Sequence, residues 1–144
     1  MADPIVAVVD TVFPTLDPAK EALSRVNADV KLAEDPTPEK ILKVAADADG
    51  VITTYGQVTA EVIDGLNNCK VIGRFGIGID NIDIQAAHAK GITVCYAPVY
   101  CLDEVSDHAM ALILSVARKI SFADKLVSQG RWEMPAVVPI GRIR

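Results

Sequence analysis

The chain is short of the residues that usually announce chemistry. Only two histidines, His88 and His108, occur in 144 residues. The three cysteines, Cys69, Cys95 and Cys101, show no C-x-x-C spacing, which argues against a zinc or dithiol motif. An odd count of this kind fits reduced, mostly buried thiols in a cytoplasmic protein. Positive charge is in deficit, 14 Lys and Arg against 19 Asp and Glu, and no basic stripe appears, so no nucleic-acid contact is expected. The most apolar stretch, "HAMALILSVARKI", is too short and too closely flanked by charge to span a membrane. The start, "MADPIVAVVD", lacks the basic and long apolar regions of a signal peptide, and a cytoplasmic location is expected. No internal repeat or low-complexity segment is visible.

What is present is an ordinary globular composition, 51% hydrophobic and 23% charged, with enough residues for one domain with a core. Short β-branched runs alternate with helical patterns. "IVAVVD", "DVKLAE", "DGVITTYG", "KVIGRFG" and "ITVCYAP" predict strands, the first of them buried on both faces. Between them, "DPAKEALSRV", "TPEKILKVAADA", "TAEVIDGLNN" and "DIQAAHAKG" predict helices, with Asp17, Thr37 and Thr59 as N-caps and Gly91 just past a C-terminus. This alternation predicts an α/β fold, a flavodoxin-like doubly wound parallel sheet of five strands ordered 2-1-3-4-5. From Asp103 to Gly130 the pattern predicts one long C-terminal helix, apolar nearly all the way round at "AMALILSVA", and then an arm, "RWEMPAVVPIGRIR". The domain reading is residues 1–102 for the sheet and 103–144 for helix and arm.

The segment "RFGIGIDN" follows a strand and precedes a helix, where a glycine pair often cradles phosphate. A dinucleotide fingerprint also needs a small third residue and an acid roughly 20 residues on. Asn81 occupies the third position and the next strand ends "CYAP", so both confirming features fail. Two readings of this turn remain. It is an anion loop, whose backbone N–H groups face a small carboxylate, or it is only a tight turn. In a doubly wound sheet the turns after strands three, four and five open at the same end, bringing together Tyr55–Gly56, Gly76–Gly78 and Val99–Cys101. Cys101 has no base near it in sequence and is expected to be a structural thiol. His88 is expected to be solvated, and His108 to serve packing or capping. Trp132 has two equal readings, a partner-subunit anchor or a residue folded onto its own chain.

The run "VIGRFGIGIDNIDIQAAHAKGITVCYAP", then "EVSDHAMALILSVARKI" and "PIGRIR", resembles the D-isomer-specific 2-hydroxyacid dehydrogenase family. The likeness is close over the second half of the chain and lies more in pattern than in letters over the first. It implies an NAD-dependent oxidoreductase (NADP remaining open) that reduces a 2-keto acid to a D-2-hydroxy acid. In that family a flavodoxin-type domain helps to bind substrate, and a Rossmann domain is inserted into it through the long helix. By this resemblance the chain is a substrate-binding domain plus helix and arm. The catalytic residues and the main NAD contacts are expected in the Rossmann part, so the chain alone is expected to be inactive. Backbone groups of Ile77 and Gly78 would hold the substrate carboxylate near the nicotinamide. Tyr55 and Gly56 would line the substrate pocket, Cys101 would face the cleft, and Val105 would pack on the cofactor. The long helix and arm would form a homodimer. The alternative is a non-enzymatic ligand-binding or corepressor-like module of the same fold, since fold alone does not fix function.

Overall fold

The computed structural model describes residues 3–142. It divides into two compact units between Tyr100 and Cys101.

The first unit is built on five strands, β1 (Ile5–Val8), β2 (Asp29–Leu32), β3 (Gly50–Thr53), β4 (Val71–Arg74) and β5 (Thr93–Tyr96). All pairings are parallel and the order is β2-β1-β3-β4-β5, as the alternating pattern predicts. Between the strands run α1 (Asp17–Ser24), α2 (Pro38–Ala45), α3 (Ala60–Asp64) and α4 (Ile84–Ala89). The central strands are inaccessible at Ala7, Val8, Val51 and Ile72, and Ile41, Val62, Ile63 and Ala87 cover them from the helices. Edge strands β2 and β5 are largely exposed. Cys95 lies on that β5 edge and is exposed, while Cys69 and Cys101 are half-buried; the expectation of mostly buried thiols does not hold.

Helix boundaries follow local chemistry. The Thr59 hydroxyl accepts the Val62 N–H, and the Asp83 carboxylate accepts the Ala86 N–H at 2.9 Å, an N-cap not anticipated from sequence. α1 opens one residue earlier than expected. Asp17 is its first residue rather than its cap, with the Thr15 hydroxyl accepting the Asp17 N–H. Thr37 sits at the N-cap of α2 without capping it, because its hydroxyl donates to Asp35 instead. Gly91 takes φ 71°, the left-handed exit glycine permits at little cost. The Lys90 ammonium donates to the carbonyls of Ile63, Asp64 and Leu66, each at 2.8 Å, and so satisfies the C-terminal turn of α3 from a neighbouring helix.

The second unit departs from the predicted single helix. It contains α5 (Leu102–Ala117), α6 (Ile120–Ser128) and a short α7 (Met134–Val137). The break falls at Lys119, a non-glycine residue at φ 52°. It is stabilised from outside the helix. The returning arm donates the Gly141 N–H to the Ala117 carbonyl at 2.9 Å, a carbonyl left open at the end of α5. The turn lets α6 bury Leu126, and the arm buries Val137. Gly130 ends α6 at φ 72°, where the pattern placed the end. No residue of α5 is buried. Among the described residues, no helix is long and apolar enough to cross a membrane.

Candidate functional site

In this strand order the loops leaving the carboxyl ends of β1 and β3 lie on either side of a topological switch point, where open α/β sheets bind ligands. Asp10, two residues past β1, organises that edge. Its carboxylate accepts the N–H groups of Thr54 and Tyr55, both at 2.8 Å, and the Thr53 hydroxyl at 2.9 Å. Partial burial alone would raise its pKa. The N–H groups of Thr54, Tyr55 and Gly56, with the Thr53 hydroxyl, outweigh that and hold it below the ordinary carboxylate value. The backbone donors after β3 are therefore already turned onto an internal anion.

Gly56 fits here because nothing larger does. A Cβ at this position would stand 2.5 Å from Val9 Cγ1 and 3.0 Å from an Asp10 oxygen. Its carbonyl accepts from the Thr53 hydroxyl at 2.8 Å and from the Asn81 side-chain amide at 2.9 Å. Asn81 thus has a reason to stand where a dinucleotide loop needs a small residue. It ties the turn after β4 to the turn after β3. Val58 reinforces the tie, donating its N–H to the Asn81 carbonyl and accepting the Asp83 N–H.

Arg74, at the end of β4, bridges the same two turns. Its Nε donates to the Thr54 carbonyl at 3.2 Å and its guanidinium lies 5.7 Å from the centre of the Tyr55 ring. A Cβ on Gly76 would fall 1.4 Å from Arg74 Nη1, so the glycine makes room for the guanidinium. The Gly76 carbonyl accepts the Ala97 N–H at 2.9 Å, joining the end of β5 to the group. Beyond Gly76, Ile77 and Gly78 are exposed, and neither amide donates a hydrogen bond to another described residue. The turn after β4 therefore differs from the turn after β3. One presents open donors, and the other has its donors filled by Asp10.

Residues 6–131 match the family model described as D-isomer specific 2-hydroxyacid dehydrogenase, catalytic domain. The chain belongs to this family. D-3-phosphoglycerate dehydrogenase of Archaeoglobus fulgidus is 36% identical over 121 residues, 83% of this chain and 23% of that protein. Glyoxylate reductase of Thermofilum pendens is 37% identical over 101 residues, 69% of this chain and 30% of that protein. Among solved structures, the NAD+-bound 3-phosphoglycerate dehydrogenase of Entamoeba histolytica superposes with a TM-score of 0.69 at 28% identity, covering 82% of this chain and 40% of that one. The chain thus spans about a quarter of the length of the first of these dehydrogenases.

Of the residues singled out from sequence, the structure brings Tyr55, Gly56, Ile77 and Gly78 to one edge of the first unit of this dehydrogenase-family chain. Tyr55 is exposed and Gly56 is buried with its backbone groups already partnered. Cys101 and Val105 belong to the second unit, at the N-cap and in the first turns of α5, Cys101 half-buried and Val105 exposed. His88, His108 and Trp132 are exposed. Among the described residues no three His, Cys, Asp or Glu side chains cluster as a metal site. Sequence reasoning missed Asp10, Arg74 and the pair Phe13–Phe75. The only available signal for Asp10 and Arg74 was their place at strand ends.

Proposed function

We propose that this chain is the substrate-binding part of an NAD-dependent oxidoreductase acting on the CH–OH group of a D-2-hydroxy acid. The observation that carries the proposal is the pair of amides at Ile77 and Gly78, unpartnered among the described residues, at the carboxyl edge of the sheet, in a chain of this family. Open backbone donors in a turn form a concavity for a small anion, and Arg74 beside them adds positive potential. The substrate carboxylate binds to these two amides, with Tyr55 at the side of the pocket. Gly56 serves as scaffold there, its carbonyl held by Thr53 and Asn81 and its N–H turned to Asp10. Ile77 exposes apolar surface suited to a nicotinamide, and so, on the second unit, does Val105, with Cys101 half-buried at the start of the same helix. The cofactor, when bound, supplies or accepts the hydride. The residues of this chain orient the acid. The names of the relatives, a phosphoglycerate dehydrogenase bound to NAD+ among them, support the class of cofactor and substrate. The apolar side chains exposed on α5 support a homodimer formed through this helix and the arm.

Titration of the isotopically labelled chain with pyruvate, followed by amide NMR shifts, tests the anion loop. The Ile77 and Gly78 signals should move together. Gly78→Val should weaken the response at least tenfold without loss of fold, because the added Cβ meets only the Asp80 side chain, at 2.9 Å. Unmoved Ile77 and Gly78 signals would refute the proposal.

A further inference from the structure

Four of the chain's aromatic residues gather at the ligand-facing edge of a protein that has only three Phe, three Tyr and one Trp. Phe13 follows β1, Tyr55 follows β3, Phe75 follows β4 and Tyr100 follows β5. Three of them are strongly exposed, Phe13 at 50%, Tyr55 at 65% and Tyr100 at 64%. Exposed ring surface concentrated in one place marks a contact site. The Phe13 and Phe75 rings meet edge to face with centroids 5.9 Å apart. An apolar hollow lies on each side of this pair. The smaller, about 150 Å³, is walled by Phe13, Phe75, Gly76, Ala97 and Tyr100. The larger, about 440 Å³, runs from the same two rings along Pro14, Leu16 and Ala19. A dry apolar cavity of roughly the smaller size is enough to hold a benzene ring.

Gly76 walls the smaller hollow and stands one residue before the open amides of Ile77 and Gly78. A carboxylate on those amides would therefore have its side chain beside the rings. Charge points the same way. The turns at 10–16, 54–58, 75–81 and 97–100 contain two carboxylates, Asp10 and Asp80, and no lysine, arginine or histidine. The adjoining Arg74 is engaged by the Thr54 carbonyl and the Tyr55 ring. Arg74 serves the carboxylate end, so a phosphorylated tail would meet Asp80 with no second cation in these turns, whereas an apolar tail would meet matching surface.

We infer that the 2-hydroxy or 2-keto acid taken by this edge carries an apolar side chain of aryl or branched-alkyl size, seated against Phe13 and Phe75. The inference rests on the carboxylate reading of Ile77 and Gly78, and its test separates the two. Amide and aromatic NMR titrations of the full chain would use pyruvate, phenylpyruvate and 3-phosphohydroxypyruvate as probes. Phenylpyruvate should bind at least tenfold more tightly than pyruvate and shift the Phe13, Phe75 and Ala97 signals as well as Ile77 and Gly78. Phe13→Ser should weaken phenylpyruvate at least fivefold, with an unchanged circular dichroism spectrum. Phenylpyruvate no tighter than pyruvate, or weaker than the phosphorylated probe, would overturn the inference; shifts at Ile77 and Gly78 would then keep the carboxylate reading. Phe13 and Phe75 signals that move with protein concentration alone would give the surface to a second copy and also overturn it. Silence at Ile77 and Gly78 with every probe would sink both readings.

Discussion

Asp10 does at the scale of one residue what a bound anion does at other glycine-containing turns. It gathers the donors of Thr54, Tyr55 and Gly56 and fixes the path of the chain past β3. Asp10→Asn keeps the size but offers the Tyr55 N–H an amide group where an oxygen stood. Unfolding free energy at pH 7 should fall by about 1–2 kcal/mol, the range for hydrogen bonds to a partly exposed charged group. The folded pKa lies below the ordinary value, so the stabilising contribution is present above the unfolded pKa of about 3.9 and is lost as pH falls through the folded one. Urea unfolding of both proteins at pH 7, 5 and 3 should therefore show a gap that narrows at the acid end. A gap independent of pH would assign the effect to shape alone. Nothing in the sequence distinguished this acid from any acid closing a strand, because its partners lie 43 to 45 residues away. Gly78 was legible because a glycine pair between a strand and a helix is a local signal.

At the scale of elements, short β-branched runs alternating with stripes of period 3.6 were enough to place every strand, and the doubly wound pattern they imply carried the sheet order. Apolar periodicity carried no mark of the break between α5 and α6. "ILSVARKISFADKLV" continues a helical stripe through Arg118 and Lys119, and the partner that makes the turn tolerable, the Gly141 amide, arrives from the arm. Lys119 therefore holds a left-handed conformation that a Cβ disfavours by about 1–2 kcal/mol. Lys119→Gly should leave stability unchanged or raise it by up to about 1 kcal/mol, since strain relief is partly offset by greater freedom of the unfolded chain. Lys119→Val should lower it by about 1 kcal/mol or more. Thermal unfolding of the two variants decides. Equal losses in both would mean that the lysine side chain, and not the backbone, holds the turn. Thr37 shows the same limit on a smaller scale. Its cap position was legible, but the competing acceptor at Asp35 diverted its hydroxyl.

For the whole molecule, the distribution of apolar surface matters more than its amount. The continuous core is formed by side chains from Ala7 to Ile92. In the second unit Met110, Leu112, Ile113, Leu114 and Val116 are exposed by 43% to 78%. At about 25 cal/mol per Å², covering even a few hundred Å² of such surface favours association by several kcal/mol. Light scattering across a dilution series should therefore show a dimer at about 100 μM that dissociates on dilution. A monodisperse monomer at that concentration would rule this out. The division between Tyr100 and Cys101 also bears on cooperativity. A helix with no buried residue has little to hold its amides closed except its own hydrogen bonds. At dilutions where the chain is a monomer, deuterium should reach the amides of α5 well before those of β1, β3 and β4, through openings that leave the sheet intact. A single melting temperature would then describe only the sheet, and the free energy read from it would leave the second unit unmeasured.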